Sequence, residues 1–231
     1  MSSDRWAKRS AAAGLVNLLL PLRCAGCGLA GFVLCAGCGG RFAELRRVRP
    51  PELSPAPPVH ALARYGGRAR RALLACKEGG RRDLEGPLAA RVAVAVREIL
   101  DEHAALVGTG PVRLVPAPSR AAAVRRRGRA HLVRLARRAE RGLPGVRTAD
   151  CLRLSPRVRD SVGLDSARRF ENLRGGVLVR TNRLPPPGTP VLLFDDVLTT
   201  GATVLNCREA LAGAGVPVVA VLVLANAARE P

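Results

Sequence analysis

Aromatic side chains are scarce in this chain of 231 residues: 3% in all, with one Trp, one Tyr and four Phe. So few rings cannot furnish the repeated stacking platforms on which single-stranded nucleic acid is held. They also leave the core to Val, Leu and Ala. Lysine is nearly absent; Lys8 and Lys77 are the only two, and the rest of the 38 Lys and Arg are Arg. A bias that broad makes any single Arg weak evidence of a site. Acid is in short supply, with 18 Asp and Glu, and the formal net charge is +20. A field of that sign favours phosphate-bearing partners, such as nucleotides, sugar phosphates or nucleic acid, without choosing among them. Long apolar runs are missing as well. Residues 11–22 are mostly apolar and follow Arg5, Lys8 and Arg9, which imitates a signal peptide. The run is too short to span a bilayer, and no small-x-small cleavage site follows it. It is read as an amphipathic helix packed on the main body, with a targeting role as the alternative. No internal repeat is visible.

Hydrophobic residues make up 48% of the chain, enough for a sizeable core. The length suits one α/β domain with a small accessory module. Residues 1–45 are assigned to the leading helix and a cysteine module, 46–58 to a Pro-rich linker, and 59–231 to the main domain. Within the last, strand-like and helix-like segments alternate. Strands are expected at 59–65, 112–115, 151–154, 177–180, 191–194 and 218–224. Helices are expected at 68–76, 84–106, 129–141 and 202–214. Wholly apolar strands alternating with helices imply a mainly parallel sheet covered on both faces. Such sheets bind ligands at the carboxyl ends of their strands.

Of seven cysteines, four follow the spacing Cys24-x2-Cys27-x7-Cys35-x2-Cys38. Two such knuckles can set four thiolates tetrahedrally around one Zn²⁺. A closed site of this kind is structural and holds a segment that has little core of its own. An iron–sulfur cluster is the alternative metal. Paired cysteines in an odd total suit a reducing cytoplasm better than a disulfide framework.

Residues 191–203 read VLLFDDVLTTGAT. Four apolar residues end in two carboxylates, and a Thr/Gly loop then opens a helix. Gly201 allows close approach of the backbone to an anion. The amides of Thr199, Thr200, Gly201, Ala202 and Thr203 lie where a helix start can cradle a phosphate. Asp195 and Asp196 would repel that phosphate, so hydroxyls are their natural partners, a sugar diol above all. Residues 114–129 offer a second anion-binding element: a strand ending at Pro116, a loop with Ser119 and Arg120, then the cluster around Arg127 and Gly128. Lys77, in CKEGGRR, stands out because lysine is so rare. Residues 157–173 form a polar stretch between strands, with Arg157, Arg159, Arg169 and Asn172 as its notable side chains. His131 stands beside a helix start, where a lone histidine is more often structural or solvated than a base.

The segment 191–203 resembles the thirteen-residue phosphoribosyl-diphosphate (PRPP) motif of type I phosphoribosyltransferases. The order of pieces is wider: an apolar leading helix, a four-cysteine ribbon, Y…K-x-x-G, VPxP…RRRG, R-x-x-N-L-x-G and DDVLTTGAT. Over roughly residues 14–226 this resembles the ComF family of competence proteins, which are phosphoribosyltransferase-like. The resemblance implies a type I phosphoribosyltransferase-like fold with a zinc ribbon. It implies that Asp195 and Asp196 grip the ribose 2′ and 3′ hydroxyls and that Thr199–Thr203 wrap the 5′-phosphate. It places Pro116, Ser119, Arg120, Arg127 and Lys77 on the PRPP side, and makes 157–173 a hood loop. Mg²⁺ would accompany the diphosphate. Two positions depart from the family pattern: Arg129-Ala130-His131 stands where members often read FNQ, and Ser161 where they often carry Gln. Both touch the acceptor and diphosphate sides of the expected pocket. The alternatives are a non-catalytic PRPP- or nucleotide-binding protein that helps handle single-stranded DNA in competence and transformation, and a regulator that uses PRPP as effector.

Overall fold

The structure, a computed structural model, describes residues 22–50, 53, 57–108, 110–119, 130–155 and 176–227. The expected leading helix, the basic stretch with Arg120, Arg127 and Gly128, and the loop 157–173 lie outside the described residues.

A six-stranded sheet organises the chain. Its strands are β1 (Arg46–Val48), β2 (Val59–Ala61), β3 (Val112–Pro116), β4 (Val146–Thr148), β7 (Val191–Leu198) and β8 (Val218–Asn226). Their spatial order is β1-β2-β8-β7-β3-β4. Only β1 runs antiparallel to its neighbour; the other pairings are parallel. A separate antiparallel hairpin pairs β5 (Leu152–Leu154) with β6 (Val177–Val179). The expected mixed α/β architecture with a mostly parallel sheet is therefore present.

Among the described residues the longer helices are α1 (Gly67–Lys77), α2 (Glu85–Glu102), α3 (His131–Ala139) and α4 (Ala202–Ala212). Leu88, Val92, Val96 and Ile99 recur at helical spacing on α2, and each is 1% exposed or less. Burying each of these is worth about 1.5–3 kcal/mol. On α3 the matching stripe is Leu132, Leu135, Ala136 and Ala139, and it packs against α2. α4 packs instead on β7, β8 and β6. The central strands bear the mark of burial on both faces. Val191, Leu192, Leu193 and Phe194 are each fully buried, as are Ala220, Val221, Leu222 and Val223.

The connectivity fixes where a ligand can bind. From β3 the chain passes through α3 and outward to β4. From β7 it passes through α4 and outward the other way, to β8. Right-handed crossovers leaving adjacent strands in opposite directions put α3 and α4 on opposite faces. Between β3 and β7 the strand order reverses, and a crevice opens at their carboxyl ends.

Several details differ from the sequence reading. The strand expected at 59–65 ends at Ala61, and the helix expected at 84–106 ends at Glu102, with a separate short helix at Ala104–Val107. β7 runs on through Leu198 instead of stopping at Phe194, because β8 continues to Asn226 and pairs with Asp195, Val197 and Leu198. Arg46–Val48, read as the start of a linker, is an edge strand on β2. Val146–Thr148, to which the sequence pattern assigns no element, is an edge strand on β3. Among the described residues, no helix is long and apolar enough to cross a membrane.

Candidate functional site

β7 delivers Asp195 and Asp196 to the carboxyl end of the sheet beside the reversal. Side chains alternate along a strand, so the two carboxylates leave on opposite faces. Asp196 points to the α1–α3 face. Its Oδ2 lies 2.5 Å from Lys77 Nζ, at the end of α1, and 3.2 Å from His131 Nε2, at the start of α3. Three segments far apart in sequence thus meet on one oxygen. Burial would raise the Asp196 pKa, but His131 close beside it and the charge of Lys77 outweigh it and hold the carboxyl well below the usual range. Asp195 is 7% exposed. Its Oδ1 accepts a hydrogen bond of 2.7 Å from the Asp196 amide. Burial, with the negative charge of Asp196 beside it, pushes the Asp195 carboxyl far up. The pair therefore carries one negative charge near neutrality, concentrated on Asp196.

A cavity of about 310 Å³ opens at this point, lined in part by Tyr65, Lys77, Leu88, His131, Asp196 and Thr199. Asp195 is not part of its wall. Arg134 of α3 forms an ion pair with the buried Glu85 at the start of α2, which ties the two helices together one turn after His131.

The loop after β7 comprises Thr199, Thr200 and Gly201, and α4 begins at Ala202. Gly201 has φ +73°, a left-handed value that L side chains rarely adopt. A Cβ there would also stand 2.7 Å from Leu53 Cδ2, so two separate constraints call for glycine. The helix begins without a side-chain cap, and the first N–H groups of any helix have no partner within it. With Thr203 in the first turn, the segment has the donors that an anion needs. On the neighbouring strand, Pro116 pairs with Phe194, and the Ala117 amide donates to the Phe194 carbonyl at 2.7 Å. Ser119, half-buried, continues this loop. The segment 116–119 therefore lies beside the Asp pair across the crevice. Arg120 and Arg127 lie outside the described residues.

His131, a lone histidine beside a helix start in the sequence, joins this cluster. It is 8% exposed, and neither ring nitrogen has a hydrogen-bond partner among the described residues, although Nε2 lies 3.2 Å from Asp196 Oδ2. The sequence signal for it is its place at the first described helix after β3, on the rim where ligands of such sheets bind.

The cysteine cluster is a second candidate centre. The sulfurs of Cys24, Cys27, Cys35 and Cys38 all lie within 4.8 Å of one another. Cys27 Sγ and Cys35 Sγ are 3.6 Å apart, close to the edge of a tetrahedron with Zn–S bonds of about 2.3 Å. The Cys35 amide points at Cys24 Sγ, at 3.3 Å. Burial opposes thiolate formation at Cys24, but main-chain amides of Cys35, Cys27 and Gly26 outweigh it and lower the thiol to about 6. A Cβ on Gly26 would stand 2.7 Å from Cys38 Sγ, so glycine is needed for the knuckles to close. The donor set fits a structural Zn²⁺. The module is docked on the main body: Arg71 Nε donates to the Gly26 carbonyl at 2.7 Å and Arg81 Nη1 to the Arg23 carbonyl at 3.1 Å. Phe42, just after the last knuckle, is fully buried in the main core.

No protein-family model matches this chain, and no curated protein matches it significantly. The fold and site together define a mixed α/β protein with an acidic pair and a glycine-bearing helix start at its topological switch point, and a four-cysteine cluster that could bind zinc.

Proposed function

We propose that this chain is a PRPP-binding, phosphoribosyltransferase-like protein of the ComF kind. The observation that carries the reading is the meeting of Asp196, Lys77 and His131 beside the helix start at Gly201, where the strand order reverses. An anion and a polyol can be held there side by side. The amides of Thr199–Thr203 take the 5′-phosphate. Asp196 takes ribose hydroxyls. Lys77, now held on Asp196, exchanges that carboxylate for diphosphate oxygens when the sugar arrives. His131 orients the Asp196 carboxyl, and Pro116–Ser119 forms the diphosphate side of the crevice. Mg²⁺ suits the oxygen donors that PRPP and Asp196 would present, and its contribution is to neutralise diphosphate charge. In the transfer reaction an acceptor nitrogen forms a bond to C1′ while the C1′–O bond breaks and diphosphate leaves with the electron pair. The chain's part is positioning, together with stabilisation of the departing charge.

A second reading, a nucleotide- or PRPP-bound module that handles single-stranded DNA without turnover, is favoured by one observation. An open groove of about 770 Å³ beside the cysteine cluster is lined by Arg41, Arg46, Arg64 and Arg68, against a single acid, Glu44, which pairs with Arg46.

The test is a thermal shift with PRPP and Mg²⁺. At a hundredfold excess over Kd, binding adds about 2.7 kcal/mol, roughly 5–10 °C for a chain of this size. Asp196→Asn abolishes the shift. Release of diphosphate with a panel of bases, lost in that variant, selects the enzyme; a shift without release selects the binding module. If PRPP produces no shift, or an equal one in Asp196→Asn, the reading fails.

A further inference from the structure

A third constellation lies at the opposite end of the molecule and does not depend on the phosphate-loop reading. His60 is the middle residue of β2 and is 1% exposed. Glu102 closes α2, and His103 follows as its C-cap. α2 has 18 residues and begins under the candidate cavity; at 1.5 Å per residue its far end lies about 25 Å away.

The three side chains converge. His60 Nε2 and His103 Nε2 are 3.5 Å apart. Glu102 Oε2 lies 4.0 Å from His60 Nε2, and Glu102 Oε1 lies 3.7 Å from His103 Nε2. All three ligand atoms fall within 4.8 Å of one another. A tetrahedral centre with bonds of about 2.0–2.1 Å sets its donors roughly 3.3 Å apart. The observed triangle is slightly wider than that, and small rotations of the half-exposed Glu102 close it. Protons satisfy such a triangle poorly. Two Nε2 atoms facing each other can share a single proton, which leaves one of them without a donor to offer the carboxylate. A cation accepts lone pairs from all three at once.

We propose that His60, Glu102 and His103 form a binding site for a borderline divalent metal of the Zn²⁺ type. Two imidazoles and one carboxylate match its donor preference and leave a fourth position for water or an outside ligand. The site would clamp β2 to the end of α2. Arg47, which pairs with His60 across β1 and β2, competes for the carboxylate: its Nη1 is 3.8 Å from Glu102 Oε1. Its side chain is 51% exposed, so it can turn to water when the metal binds.

The experiment counts zinc. The full chain is loaded with excess Zn²⁺, passed over a chelating resin, and its metal content measured by atomic emission. Two zinc ions per chain are expected: one on the four cysteines, one on this triad. Glu102→Ala, at a half-exposed position, and His103→Ala, at a side chain 12% exposed, should each retain one, with an unchanged circular dichroism spectrum. Cobalt(II) distinguishes the sites by colour. Thiolate-to-cobalt charge transfer should saturate with the first equivalent, and the second should add only weak d–d bands that the His103→Ala protein lacks. One zinc per chain in the unaltered protein overturns the proposal, as do two that persist in both variants.

Discussion

Replacing Asp195 by Asn tests whether this buried carboxyl is held neutral. Asn keeps the shape and can still accept the Asp196 amide at Oδ1, a bond of 2.7 Å in the present structure. Among the described residues no cation forms an ion pair with Asp195, whereas Asp196 has Lys77 and His131. Burial, and then the charge of Asp196, raises the Asp195 pKa from 3.8 to about 8. A carboxyl whose folded value lies above its unfolded value contributes stability that is fully present below the unfolded value and is lost as pH rises through the folded one. Between about pH 5 and 7 the unfolded chain has released this proton and the folded chain has kept it. Stability therefore falls by up to about 1.4 kcal/mol per pH unit on this account alone. Over two units that is about 3 kcal/mol. Urea titrations followed by circular dichroism at pH 5, 6 and 7, on both proteins, isolate the effect. The other groups titrate in both and cancel in the difference. The Asn protein should gain on the parent steadily as pH rises. A difference that stays flat across the window means that Asp195 is charged in the folded chain, and the division of labour within the pair is wrong.

Asp196→Asn removes the partner of Lys77 and His131, and should cost about 1–3 kcal/mol of stability as well as abolishing the PRPP shift; chemical denaturation at pH 7 measures the first. Because the Asp196 carboxyl is held below its usual range, its contribution is present above about pH 4 and disappears as pH falls further; the Asn protein should show a shallower acid transition. Gly201→Ala combines a left-handed backbone with a 2.7 Å approach to Leu53 and should destabilise by about 2–3 kcal/mol, measured by the same titrations. Cys38→Ser should release the thiolate-bound zinc and lower the melting temperature by many degrees; visible absorption from an iron–sulfur chromophore in the isolated parent would contradict the zinc assignment.

The sequence pattern made the central sheet legible because its strands are apolar runs buried on both faces, a signal no surface segment imitates. The cysteine cluster was legible from spacing alone. What escaped had little signal to give. β1 and β4 are three residues long, and each buries a single Val, so no alternation can be seen. β7 continues through two aspartates against their low strand propensity, because the ladder with β8 holds it. The Asp196–Lys77–His131 meeting joins residues up to 119 positions apart, counted from 77 to 196, and only the topology brings them together. The opposite facing of the two carboxylates follows from that same strand extension; a reading that ended the strand at Phe194 left both free to turn toward one diol.

Leu53 lies in the connection between β1 and β2, and it is 3% exposed against the bend at Gly201. The turn that opens α4 is thus propped from behind by an aliphatic side chain from the edge of the sheet. Trimming Leu53 to Ala would leave a void at that spot, and the bend would lose a wall. Anion capture at the start of α4 should accordingly weaken through packing alone, with every polar group of the loop left in place.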